Sequence, residues 1–130
     1  MTSVMVVADS GEVMASLTGS LAEIAGVQIV RHANGRSPLG PLASSHDPEV
    51  AVIGSMSRPA AALRCVRELR AAAPATQIVV LSSDAHVGWL GKALQAGAAA
   101  VVPGHVDAAT LGLVLRDVTA VAPPVQALAA

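Results

Sequence analysis

The chain has 130 residues, 53% of them hydrophobic and only 13% charged, so it carries enough apolar area to order one compact domain and is not a disordered segment. A net charge of −1 excludes a general electrostatic pull toward nucleic acid, and with no Phe or Tyr the single Trp89 is the one aromatic that could stack on a base. Apolar runs stop short of the roughly 20 residues that cross a bilayer, and the N-terminus MTSVMVVADS has no basic leader or cleavable apolar stretch.

These features predict a soluble, cytoplasmic protein. Cys65 stands alone, which rules out an internal disulfide or a thiolate pair and makes it a small core residue.

Val4–Val7 opens the chain as a short β-branched run of the kind buried on both faces of a sheet. Val13, Leu17, Leu21 and Ile24 follow at helical spacing, and Asp9 three residues before Glu12 predicts a capping box at the start of that helix. Val27–Val30 reads as a second strand, closed by the turn residues Asn34 and Gly35, and a short helix is predicted around Leu39 to Ser45. Val50–Ile53 is the third strand. Ala62, Val66, Leu69 and Ala73 give the next helical stripe, and Arg58, Arg64, Arg67 and Arg70, four of the eight basic residues, read as its solvated face. Ile78–Leu81 is the fourth strand. Val87, Leu90 and Leu94 form a helical stripe weakened by Gly88 and Gly91, each costing about 1 kcal/mol relative to alanine. Ala99–Val102 is the weakest strand, and Leu111, Val114, Leu115 and Val118 mark the last helix.

Five strand-then-helix units predict a single α/β domain over residues 1–120: a five-stranded parallel sheet of order 2-1-3-4-5 with helices on both faces, flavodoxin-like. Such sheets work at the carboxyl ends of the strands, which directs attention to the loops after Val7, Ile53, Leu81 and Val102. Residues 121–130, with Pro123 and Pro124 among alanines, read as a tail or linker.

At those loops the chain resembles the CheY-like receiver domain of bacterial two-component response regulators, above all those preceding LuxR-type DNA-binding domains. The resemblance runs from about Val4 to Thr119 and rests on VMVVADS, DPEVAVIG, ALRCVRELRAAAPATQIVVLSS and ALQAGAAAVVPGHVDAATL in that order. It implies an acidic pair at Ala8 and Asp9, a phospho-acceptor aspartate at Gly54, a Ser or Thr at Ser82, a lysine at Gly104 and an aromatic switch residue at Val101. Only Asp9 and Ser82 match. Acyl-phosphate chemistry needs a carboxylate nucleophile, a divalent ion and a compensating cation, so no catalytic residue, metal or cofactor is expected here.

The resemblance implies a phosphorylation-independent receiver in signal transduction or transcription regulation, with a protein partner or a homodimer and a DNA-binding output domain outside this chain. Partner contacts in the family favour the face of the fourth helix, fifth strand and fifth helix, which here holds Trp89, Lys92 and Leu113. Trp89 lies off the apolar stripe and reads as an interface residue, its alternative being a side chain folded over a gap. The competing class is a small-molecule binder or enzyme on the same fold. It needs a polar, preformed pocket, and Ala8, Gly54 and Gly104 predict little fixed polarity. Asp9, His86 and His105 from separate loops do not amount to a metal motif. Ser55 and Ser57 flank the acceptor position without a visible base, and His32 and His46 read as surface residues.

Overall fold

Strand and helix alternate through the whole computed structural model, which describes residues 1–56, 58–82 and 87–120. The strands are β1 (Thr2–Ala8), β2 (Val27–Asn34), β3 (Val50–Ile53), β4 (Gln77–Ser82) and β5 (Ala100–Pro103). The helices between and after them are α1 (Gly11–Ala22), α2 (Gly40–His46), α3 (Pro59–Ala72), α4 (Val87–Ala96) and α5 (Ala108–Ala120). All pairings are parallel and the strand order is β2-β1-β3-β4-β5, as the sequence pattern predicts. Among the described residues no helix is long and apolar enough to cross a membrane. The tail 121–130 lies outside the described residues.

The pleat sorts each central strand between two cores. Met5, Val7, Ala51, Ile53, Ile78 and Val80 point to one side, where Leu39, Leu63, Val66, Leu69, Trp89 and Ala93 of the α2, α3 and α4 layer cover them. Val4, Val6, Val50, Val52, Val79 and Leu81 point to the other, against Leu17 and Leu21 of α1 and Leu111 and Leu115 of α5. Each buried leucine contributes roughly 2 kcal/mol relative to exposure. A strand with neighbours on both faces has no solvated side to carry polar residues, which is why β3 reads as an unbroken apolar run.

β2 extends four residues beyond its apolar run, through Arg31, His32, Ala33 and Asn34. It is an edge strand, so its polar side chains stay in water. A bulge between Val4 and Met5 leaves Val30 without a partner, after which Met5 pairs with Arg31 and Val7 with the buried Ala33.

The Arg-rich face of α3 is exposed but not idle. The Arg64 guanidinium donates to Gly35 O and stands 3.7 Å from Glu68. Glu68 in turn accepts from the backbone N–H groups of Leu39 (2.7 Å) and Gly40 (3.2 Å), supplying the negative charge and the acceptor that the N-terminus of α2 lacks on its own. Cys65 is fully buried beneath this corner; burial pushes its thiol pKa up, and the Arg64 charge opposes that shift.

Three expectations are corrected. The cap of α1 is Ser10, not Asp9: Ser10 has extended backbone and its Oγ accepts from Val13 N–H at 3.2 Å. In α4 the inward pair is Trp89, 6% exposed, and Ala93, fully buried, whereas Leu94 is 52% exposed. The indole needs the space a small Ala93 leaves one turn on, so the buried stripe is rotated by about one residue from the leucine spacing. Trp89 Nε1 donates to Pro59 O at 3.4 Å, tying α4 to the start of α3. Trp89 is therefore core, and the interface assigned to it is withdrawn. The side chain of Val87 lies outside the described residues.

Candidate functional site

The carboxyl edge of the sheet gathers the positions singled out by the receiver resemblance. Gly54 N–H continues the β1–β3 ladder by donating to Val7 O at 2.8 Å, and Gly104 N–H donates to Ser82 O at 3.0 Å. Ala8 is buried, while Asp9, Ser82 and Gly104 are half-buried. The five positions thus lie along the edge formed by β1, β3, β4 and the turn after β5. Val101 is half-buried on β5 and packs on the α3–α4 side of the core.

At Gly54 the space for a side chain is taken. A Cβ built there would stand 2.6 Å from Val13 Cγ1, 3.4 Å from Leu17 Cδ2 and 3.5 Å from Val7 O. The N-terminal half of α1 lies over the end of β3, so a side chain at this position requires Val13 to give way. No group of three His, Cys, Asp or Glu side chains suited to a metal ion occurs among the described residues. His86 and Ser57 lie outside the described residues.

What opens instead is a cleft of about 420 Å³ beside this edge, between α1 and the turn leading into α5. Leu17, Leu81, Val106 and Leu111 supply its apolar wall, and Glu12, Ser16, Ser20, Ser55 and His105 its polar groups. The strand ends were expected to leave little polarity; the turns after β3 and β5 add Ser55 and His105, and α1 supplies the rest. Two helical turns of α1 place Glu12, Ser16 and Ser20 in one row, at i, i+4 and i+8. That periodicity was present in the sequence but masked by the apolar stripe on the same helix. Among the described residues Ser55 Oγ is buried with no hydrogen-bond partner, which costs roughly 1–3 kcal/mol unless something in the cleft satisfies it.

Two interface residues remain exposed. Lys92 is exposed on α4, on the α3 side of the sheet, and Leu113, 58% exposed, is on α5 on the other side, toward α1.

No protein-family model and no curated protein matches the sequence. Solved structures do match. The signal receiver domain of the response regulator NarL from Mycobacterium tuberculosis superposes with a TM-score of 0.80 at 21% identity, over 92% of this chain and 96% of that one. The chain has the receiver fold. The response regulator domain of Thermotoga maritima CheB gives a TM-score of 0.78 at 20% identity, over 95% and 99% of the two chains. A LuxR-family two-component response regulator from Aurantimonas sp. SI85-9A1 gives 0.80 at 21% identity, over 92% and 86%. Receiver geometry is thus retained across nearly the whole chain at low sequence identity.

Proposed function

We propose that this receiver-fold chain is a phosphorylation-independent signalling module, a pseudo-receiver that acts in signal transduction or transcription regulation through protein contacts and not through acyl-phosphate chemistry. The reading is supported at the end of β3: Gly54 falls at the position to which the receiver resemblance assigns the acceptor carboxylate, and a Cβ there would stand 2.6 Å from Val13 Cγ1. Without a nucleophile there is no acyl phosphate to form, and with Gly104 after β5 no ammonium group to neutralise one. Signals then reach the domain through what binds its surface. A DNA-binding output domain outside this chain fits the DNA-binding LuxR-family response regulator from Staphylococcus aureus among its structural neighbours.

Intact-mass measurement after incubation with acetyl phosphate and Mg²⁺ is the test. The expected result is an unmodified chain; a stoichiometric gain of about 80 Da, one phosphoryl group, mapped to this domain overturns the reading.

A second reading is favoured by Ser55, whose unpartnered Oγ lines the cleft: a small ligand with an apolar body and one hydroxyl or carbonyl group would satisfy it. Amide chemical-shift mapping of a fragment panel tests it, and the absence of any fragment that perturbs Ser16, Ser55 and Val106 together removes it.

A further inference from the structure

The net charge of −1 hides a segregation of charge across the sheet. Among the described residues, α2, α3, α4 and their caps carry the cations Arg58, Arg64, Arg67, Arg70 and Lys92. The acids on that side are Asp47, at the C-cap of α2, and Glu68, whose carboxylate is already engaged by the N-terminus of α2. On the opposite side the balance reverses: α1, α5 and their caps carry Glu12, Glu23, Asp107 and Asp117 against Arg116.

Three of the cations form a ridge. Arg64, Arg67 and Arg70 recur every third residue, so each step turns by about 60° around the helix and the row crosses α3 obliquely. At one end Arg64 leans toward the end of β2, donating to Gly35 O and standing 3.7 Å from Glu68, with 51% of its side chain still in water. At the other end Arg70 Nη1 donates to Pro74 O at 2.9 Å, and its stem lies against Gly97, just past α4, where a Cβ would stand 2.8 Å from Arg70 Cγ. Arg67 is exposed on the crest between them, and among the described residues it makes no ion pair or side-chain hydrogen bond. Ala60 and Ala71, exposed one turn before Arg64 and one turn after Arg67, leave no bulk to hold a partner's backbone away. Two guanidinium groups fixed in advance lose little further freedom when they bind.

The chemistry and size of the ridge select its occupant. A guanidinium fork meets a planar carboxylate through two parallel hydrogen bonds. From Arg64 to Arg70 the row spans about 9 Å along the helix axis, the reach of a few residues of polypeptide. A single nucleic-acid strand needs an exposed aromatic to stack on, and Trp89 is buried. A duplex or an anionic bilayer is a broad surface that draws on many cations together, whereas this ridge is short and flanked by alanine. We infer that the Arg64–Arg67–Arg70 ridge of α3 is the docking surface for an acidic polypeptide segment of another protein. The inference rests on the reading that the domain works through protein contacts, and it assigns those contacts to α3 and not to the buried tryptophan of α4.

Fluorescence anisotropy of fluorescein-labelled poly-L-glutamate, titrated with the full chain, tests it, with a labelled DNA duplex and phosphatidylglycerol vesicles as the comparison anions. The wild type should bind the polymer and prefer it to both. Arg67→Glu should weaken that binding about tenfold or more. Arg116→Glu makes the same change in net charge on the opposite side of the sheet, and there binding should stay within about twofold of wild type, because charges that far from the ridge are screened. Both side chains are exposed, so both variants should keep the wild-type unfolding midpoint. A wild type that does not bind polyglutamate overturns the inference, and so does an equal loss in the two reversals or tighter binding of the duplex or the vesicles. A chain that resists acetyl phosphate and fails to bind the polymer overturns this surface alone; one that binds the polymer and takes up a phosphoryl group overturns phosphorylation independence alone.

Discussion

Alanine at Gly54 sets two opposed effects against each other. Gly54 does not have positive φ, so alanine there is sterically allowed by the backbone and should stabilise by about 0.4–1 kcal/mol through the lower entropy of the unfolded chain. Against this, the new Cβ would sit 2.6 Å from Val13 Cγ1, about an ångström inside the normal carbon–carbon separation, with Leu17 Cδ2 at 3.4 Å behind it. Val13 is β-branched and holds essentially one χ1 rotamer in a helix, so it cannot swing aside, and α1 must shift. Overpacking of this kind costs about 1–3 kcal/mol. The steric term wins, and Gly54→Ala should lose about 1–2 kcal/mol net. Urea unfolding measures it from the midpoint at unchanged slope. Placing Gly54→Ala in a Val13→Ala background removes the colliding methyl, and the penalty there should vanish or turn into a small gain. A raised midpoint for Gly54→Ala alone, or an equal penalty in both backgrounds, would show that α1 does not close over the end of β3.

Trp89→Ala should lower stability by about 3–5 kcal/mol in denaturant titration, as a buried aromatic does, and leave the sedimentation coefficient of the folded protein unchanged. Ser10→Ala should cost about 1 kcal/mol through the lost cap of α1, and an unchanged melting temperature would return that role to Asp9. Asp107 precedes α5 and its Oδ1 accepts from Thr110 N–H at 2.8 Å, which holds its carboxyl below the usual range. The folded form prefers the carboxylate, so its stabilisation is complete above the unfolded pKa and fades as pH falls through the folded one. Melting temperature followed into acid should therefore fall less steeply for Asp107→Ala than for wild type, and parallel curves would refute the assignment.

The parts of the molecule that were legible in the sequence are those where local pattern and burial coincide. Val50–Ile53 marks β3 to the residue because nothing on that strand meets water. The second half of β2 was not legible, since Arg31 and His32 on an edge strand carry no apolar signal. Asp9 and Ser10 are both good caps, and only the extended backbone at Ser10 decides between them. Leucine spacing misplaced the inner face of α4, because a Trp–Ala pair can fill the space two leucines would. The identities of Ala8, Gly54 and Gly104 predicted an acceptor site without chemistry. That Val13 fills the space beside Gly54 is a contact between residues 41 positions apart, and no periodicity encodes it.

The two edges of the sheet differ in what they offer an incoming chain. β5 has four residues and ends at Pro103, which has no N–H to give, while β2 runs eight residues and presents Arg31 and His32 to solvent. Neither edge is a flat apolar template, so a neighbouring polypeptide gains little by pairing its backbone there. A short β5 that ends in proline and a β2 that is polar over its second half thus discourage the open-ended growth that stacked strands permit.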